Sequence, residues 1–293
     1  MFFKKKLRVE RASIVDARSE EVFKTLNNML PCYWWDSTPN FGDWIGPWLI
    51  SMKTGKSIVN SRNFSNVPKT IFSVGSVIHH LIDTDTDTEI QVWGSGLIKP
   101  IDNRKVRKFK KVIPRVTFLA VRGRLTKNEL VQQLGINIPD IFGDPALLLP
   151  RYYSPKQQKK IKIALCPHYE HFDLLHQMFK EDEDIKVINV KREPWLVIDE
   201  IASADVCISS SLHGLIIAQA YGIPWIWLHF DDKKLIGDRF KFYDFYSTLK
   251  SCSNEHVVNL TTELNKEDIL AASKRARLFE YDINLDLLDQ SLV

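Results

Sequence analysis

The sequence is poor in cysteine and has no paired cysteine motif. Cys32, Cys166, Cys207 and Cys252 are spread over 293 residues without a C-x-x-C. That excludes a zinc ribbon or a redox dithiol and fits a reducing compartment without structural disulfides. No stretch approaches the ~18 consecutive apolar residues of a membrane-spanning helix. The opening Met1-Phe-Phe-Lys-Lys-Lys-Leu-Arg lacks the apolar centre of a signal peptide. A soluble cytoplasmic protein is therefore expected, with any membrane contact peripheral and at the inner face. An excess of one charge is also missing: 40 Lys plus Arg against 36 Asp plus Glu gives +4. This is too little for nucleic-acid binding and compatible with local cationic patches that meet anionic ligands. Neither G-x-G-x-x-G nor G-x-x-x-x-G-K-[ST] occurs, so the fingerprints of a dinucleotide and of a Walker site are absent.

What is present is an ordinary globular composition, 44% hydrophobic and 26% charged, in a chain long enough for two domains at roughly 100 to 200 residues each. From about Pro31 short β-rich runs alternate with small-residue turns and amphipathic stretches, the rhythm of βα units in a parallel sheet. Cys32-Tyr-Trp-Trp, Thr70 to Val74, Glu89 to Trp93 and Val116 to Val121 read as strands of a first series. Thr126-Lys-Asn-Glu129 has the pattern of a capping box, and Gly135 is placed to end that helix. The segment Leu147 to Lys160 carries two prolines and a polar stretch and reads as a linker. A second series follows, with strands Ile161–Cys166, Ile185–Val190, Asp205–Ser209 and Pro224–His229 alternating with helices. The fold expected is α/β, with two Rossmann-like domains, 1–150 and 151–293, around a central cleft. Asn265 to Leu278 reads as an amphipathic C-terminal helix, and the acidic, Leu-rich tail beyond Tyr281 can pack on either half.

Ligands of open parallel sheets bind at the carboxyl ends of strands, where helix N-termini attract anions. Those turns hold Asn40-Phe-Gly-Asp43, Gly75-Ser76, Gly94-Ser95-Gly96, Arg122-Gly123, Gly143-Asp-Pro145, His168-Tyr169 and Ser209-Ser210-Ser211-Leu-His213-Gly214. The serine-rich turn is an oxyanion or phosphate cradle with His213 in the first helical turn, or else a plain helix cap with a packing histidine. Arg122 can hold a carboxylate or phosphate by a paired fork, or make an ion pair. Asp43 is a helix cap or, facing the cleft, a general base. His168 and Tyr169 are phosphate or sugar ligands; His168 with His171 lacks the carboxylates of a metal cluster, so no metal is expected. Arg239 and Lys241 alternate with aromatics, and Lys99 to Arg115 is a basic run that reads as a solvated face or a patch for anionic lipid.

The ordered set Asn40-Phe-Gly-Asp43, Gly94-Ser-Gly96, Arg122-Gly-Arg-Leu-Thr126, Gly143-Asp-Pro-Ala-Leu-Leu148, Pro167-His-Tyr169 and Ser210-Ser-Leu-His213-Gly resembles the polysaccharide pyruvyl transferase family over roughly residues 32–246. The resemblance implies a two-domain GT-B-like fold and transfer of pyruvate from phosphoenolpyruvate to a sugar of a bacterial surface glycan, commonly as a cyclic ketal. It implies phosphoenolpyruvate as donor substrate with no separate cofactor, and an oligosaccharide acceptor, free or lipid-linked. It makes His213 the general acid and Asp43 the acceptor-side base. Arg122 with Lys241 or Arg239 are donor-binding cations, and His168, Ser209, Ser210 and Ser211 flank the phosphate. Asn40, Tyr169, Gly94 and Ser95 fall on the acceptor side. Many members carry Arg two residues before the motif His, where this chain has Ser211, so Arg239 or Lys241 is expected to compensate. Two other readings remain open: a glycosyltransferase using a nucleotide-sugar on the same scaffold, and a non-catalytic glycan-binding protein. For the latter, tryptophans placed as in Pro224-Trp-Ile-Trp-Leu favour core packing over sugar stacking.

Overall fold

The computed structural model describes residues 6–9, 12–15, 29–156 and 160–292. Residues 1–5 of the charged opening and 157–159 of the expected linker lie outside them. One sheet comprises β1 (Lys6–Val9), β2 (Ala12–Val15), β3 (Met29–Tyr33), β4 (Ser57–Asn60), β5 (Lys69–Phe72), β6 (Glu89–Ser95) and β7 (Val116–Val121). Their order is β1-β2-β4-β3-β5-β6-β7, parallel except for the antiparallel edge pair β1 and β2. The other sheet is parallel throughout, in the order β12-β11-β10-β8-β9. Its strands are β8 (Ile161–Cys166), β9 (Ile185–Val187), β10 (Ala204–Ser209), β11 (Trp225–Phe230) and β12 (Val257–Leu260).

The helices are α1 (Phe41–Thr54), α2 (Asn103–Val112), α3 (Arg124–Leu134), α4 (Tyr169–Phe179), α5 (Pro194–Ala202), α6 (Leu212–Ala220), α7 (Phe240–Tyr246), α8 (Lys266–Ser273) and α9 (Leu285–Gln290). Among the described residues no helix is long and apolar enough to cross a membrane. Both central strand sets are buried on two faces, as parallel sheets covered by helices must be, and they read as near-continuous apolar runs such as WIWLHF in β11.

The α/β class holds, but the two sheets do not have wholly separate cores. One contiguous apolar cluster joins Cys32, Trp48 and Trp93 of the first half to Cys207, Ile216 and Trp227 of the second. The 3-10 helix Pro145–Arg151 sits in the middle of it, with Ala146, Leu147, Leu148 and Leu149 sealed from water. The stretch expected to be a linker is thus partly core, because its leucines supply apolar surface to both sides. The expected final helix is shorter, ending at Ser273, and Asn265 does cap it through a reciprocal box with Asp268. It is α9 that crosses to the first sheet: the Trp93 indole donates to the Leu288 carbonyl at 2.9 Å, and Lys53 of α1 pairs with Asp289 at 2.8 Å.

Candidate active site

The carboxyl ends of β3, β5, β8 and β10 deliver the polar turns to one recess. After β3, Asn40 caps α1 by accepting from the Gly42 N–H at 3.2 Å, which sets Asp43 in the first helical turn. After β10, Ser211 takes the cap position of α6 and places His213 in its first turn. The two turns touch. A Cβ on Gly42 would lie 2.0 Å from His213 Nδ1, so only glycine lets the imidazole lie against the α1 backbone. Gly75, after β5, borders both Asp43 and His213. The ring of Phe41 meets the imidazole edge-on at 6.3 Å.

Charge in this recess is shaped by burial. Asp43 is pushed up to about 7, burial outweighing the Lys241 ammonium, with Asp36 adding to the rise. Lys241, on α7, is lowered to about 8 by burial and by Arg122, while Asp43 and Glu170 oppose the fall. His213 is lowered to about 3, first by burial and then by Arg122 and Lys241. His168 falls to about 3 through burial, Lys241, His171 and His213. Each of these groups therefore senses others in the same recess. A carboxylate and an ammonium displaced toward neutrality from opposite sides, next to a neutral imidazole, form the acid and base pattern of catalytic sites. Neither Asp43 nor Lys241 forms a side-chain hydrogen bond or ion pair with another described residue.

His168 caps α4, its ring lying over that of Tyr169 at 4.1 Å, and both side chains are half-buried at the rim. The serine turn is only partly a cradle. Ser209 Oγ donates to the Cys166 carbonyl at 2.5 Å and accepts from the Ser211 N–H at 3.0 Å. Ser210 Oγ accepts from the His168 N–H at 3.0 Å and bonds His171 Nδ1 at 2.9 Å. Those two hydroxyls tie the β10 turn to the β8 turn, leaving the Ser211 hydroxyl without a hydrogen bond among the described residues. His171, with Nε2 held by the Lys233 carbonyl at 2.9 Å, is a packing residue.

Four expectations need correction. Arg122 is fully buried and committed: Nε pairs with Asp244 at 2.9 Å, and the two terminal nitrogens donate to the Ser76 hydroxyl and the Leu97 carbonyl, each at 2.7 Å. In this arrangement it braces the recess from behind and has no open face for a donor. Arg239 points elsewhere, donating to Asn259 at 2.6 Å and lying 3.8 Å from Asp231. Gly94 has φ +70, and a Cβ there would strike Pro145 at 2.3 Å, so its role is packing. Ser95 is buried, its hydroxyl donating to the Gly75 carbonyl at 3.0 Å. Both hold the loop beneath the recess and do not face an acceptor.

Sequence reading passed over Asp144. Its Oδ2 lies 3.9 Å from His213 Nε2, both atoms buried and without another hydrogen-bond partner among the described residues. Burial, with Asp244 adding to it, raises the Asp144 carboxyl to about 6, against the pull of the Ala146 N–H, Arg122 and the Gly75 N–H. The turn Gly143-Asp-Pro145 was visible as a strand end, but the partner lies 69 residues on, and only the fold joins them. A polar groove of about 650 Å³ is lined by Tyr33, Trp35, Arg62, Asn63, His80 and Asp83 among others, and by none of the residues of the recess itself. Its wall residue Tyr33 is within electrostatic reach of Asp43.

The succinoglycan biosynthesis protein ExoV of Rhizobium meliloti (strain 1021) is 25% identical over 206 residues, 67% of this chain and 58% of that protein. The uncharacterized protein L143 of Acanthamoeba polyphaga mimivirus is 28% identical over 171 residues, 57% of each chain. The chain thus spans under two thirds of the length of these relatives. A solved structure of an uncharacterized Klebsiella pneumoniae protein aligns with a TM-score of 0.49 at 16% identity, covering 83% of this chain and 95% of that one. Residues 44–231 match the family model described as polysaccharide pyruvyl transferase. That span takes in Asp144, His168, the serine turn and His213, and leaves Asp43 and Lys241 just outside. On this match the chain belongs to the polysaccharide pyruvyl transferase family.

Proposed function

We propose that the chain transfers pyruvate from phosphoenolpyruvate to two hydroxyls of a sugar in a polysaccharide or its lipid-linked precursor, closing a ketal and releasing phosphate. The observation that carries this reading is the convergence of Asp43, Lys241 and His213 on one recess, with two of them titrating near neutral pH. An acceptor oxygen bonds to C2 while C3 takes a proton and becomes a methyl group. The C2–O bond to phosphate then breaks, and the second hydroxyl adds to C2 and closes the ring. Of the two hydroxyl protons lost, one is balanced by the C–H bond formed at C3 and the other leaves on phosphate.

Lys241 is the cation for the anionic donor, taking the place that an Arg at position 211 would fill. Asp43, with a carboxyl near 7, is matched to deprotonating a hydroxyl at neutral pH. His213 is the acid for C3. Burial, Arg122 and Lys241 keep it neutral, and the negative charge of bound phosphoenolpyruvate favours its protonation. The groove beside Tyr33 offers hydroxyl, amide and aromatic edges to the acceptor saccharide. The exposed cations of α2, Arg104, Lys105, Arg107, Lys108, Lys110 and Lys111, suit a peripheral contact with anionic lipid at the inner membrane face.

The test is phosphate release and product mass with phosphoenolpyruvate and a panel of synthetic and lipid-linked oligosaccharides. An acceptor-dependent gain of pyruvate minus water is expected, falling about 10²- to 10⁴-fold in rate for His213→Ala. Glycosyl addition from a nucleotide-sugar to the same acceptors, with no pyruvyl product, would overturn the reading.

A further inference from the structure

Asp144 and His213 meet across the two halves of the chain. Asp144 caps the 3-10 helix Pro145–Arg151, Oδ1 accepting from the Ala146 N–H at 3.0 Å. That bond fixes the carboxylate and leaves Oδ2 facing His213 Nε2 at 3.9 Å. Each of the two atoms is enclosed and has no other partner among the described residues. Burying such an atom unsatisfied is costly to the fold. With Asp144 ionised, as a carboxyl near 6 is at neutral pH, one arrangement relieves both: Nε2 carries the hydrogen and directs it at Oδ2, attracted at this separation and forming a full hydrogen bond after an approach of about 1 Å. The lone pair then resides at Nδ1, the ring atom that lies against Gly42.

We infer that Asp144 is a positioning residue that fixes His213 as the Nε2–H tautomer, so that Nδ1 is the nitrogen that exchanges a proton with the substrate. The chemical use of that tautomer rests on the pyruvyl-transfer reading; the tautomer itself does not. Nδ1 takes up a proton when the anionic donor binds, and Asp144 faces the Nε2–H of the resulting imidazolium. As the acceptor oxygen bonds to C2, the electron pair of the C2–C3 double bond captures that proton and neutral imidazole returns. A carboxylate that orients a histidine and stabilises its cation is the logic of a nucleophile-base-orienter triad, here applied to an acid.

Asp144→Asn isolates this role. The Ala146 N–H holds the amide oxygen at the Oδ1 position, which sends the NH2 group to the place of Oδ2. A donor facing Nε2 requires a lone pair there and drives the hydrogen to Nδ1. Two-bond ¹H–¹⁵N correlation spectra of the full ¹⁵N-labelled chain read the tautomer directly, with the His213 ring identified by its loss in His213→Gln. Nε2–H is expected in the wild type and Nδ1–H in Asp144→Asn, with kcat down about 10²-fold or more and KM for phosphoenolpyruvate little changed. Nδ1–H in the wild type, or one tautomer in both proteins, overturns the inference. Should circular dichroism show Asp144→Asn unfolded, Asp144→Ser keeps a capping oxygen and removes Oδ2. A tautomer mixture is then expected, and a retained pure Nε2–H form refutes the role. A tautomer inversion without pyruvyl transfer in the wild type would leave the positioning role standing and remove the proposed reaction.

Discussion

Arg122 and Asp244 are both sealed from solvent, and they stand 122 residues apart in the chain. The Asp244 carboxylate accepts from Arg122 Nε at 2.9 Å, from the Thr126 N–H at 2.8 Å and from the Thr126 hydroxyl at 2.7 Å. Removing it would leave the buried guanidinium without its counter-ion and the two Thr126 donors without their acceptor. Asp244→Ala is therefore expected to destabilise the fold by about 3–5 kcal/mol in urea titration, whereas replacing both ion-pair partners with apolar residues should cost less than the single change. A loss under about 1 kcal/mol for Asp244→Ala would contradict the bracing role given to Arg122. The sequence placed Arg122 correctly at a strand end, but a strand end says only that a side chain is near a ligand-binding edge. Whether its fork is free depends on α7, which no local pattern links to β7.

At the level of elements, periodicity and strand-ending small residues were enough to locate β3, β5 to β8, β10 and β11 within a few residues and to call for helices between the strands of the second sheet. Three features escaped for separate physical reasons. Helix α1 contains Pro47, a residue that ordinarily argues for a break, yet the helix continues because its apolar face is buried against the shared core. The capping box read into Thr126 and Glu129 does not form: α3 begins at Arg124, Thr126 is capped by Asp244, and Glu129 accepts from the Ile101 N–H at 2.8 Å. Helix α2, read only as a basic run, is amphipathic, with Phe109 and Val112 buried and its cations outward. Its contact with anionic lipid can be measured by vesicle flotation. Binding to vesicles rich in phosphatidylglycerol, at roughly 1 kcal/mol per engaged cation, is expected at low salt and is lost in Lys105→Glu/Lys108→Glu/Lys111→Glu. Equal binding to neutral vesicles, or none at low ionic strength, would rule the contact out.

Across the whole molecule, the two halves contribute opposite partners of one titration. Asp43 comes from the first half with a carboxyl near 7, and Lys241 from the second with an ammonium near 8. The proposed mechanism requires the first ionised and the second protonated. kcat/KM is thus expected to be bell-shaped, falling below about 7 and above about 8, with flanks that belong to the pair because the groups interact. Lys241→Arg should extend the alkaline flank and leave the acid flank in place; an unchanged profile would detach Lys241 from the donor. Stability carries the opposite sign for Asp43. Its folded value lies above the usual 3.8, so the unfolded chain binds fewer protons between the two, and this residue's contribution declines as pH rises from 3.8 to about 7. The carboxylate proposed as the base is held at a cost to the fold.

The docking of α9 on the first half has a consequence for the order in which the chain is made. The indole of Trp93 and the ammonium of Lys53 find their partners at Leu288 and Asp289, among the last residues described. During synthesis the first sheet, complete at Val121, emerges from the ribosome 164 residues before Leu285, where the helix that closes over it begins. Until then a buried tryptophan lacks its acceptor and an apolar seam lies open, so this interval is when a chaperone or a second nascent chain has most to bind.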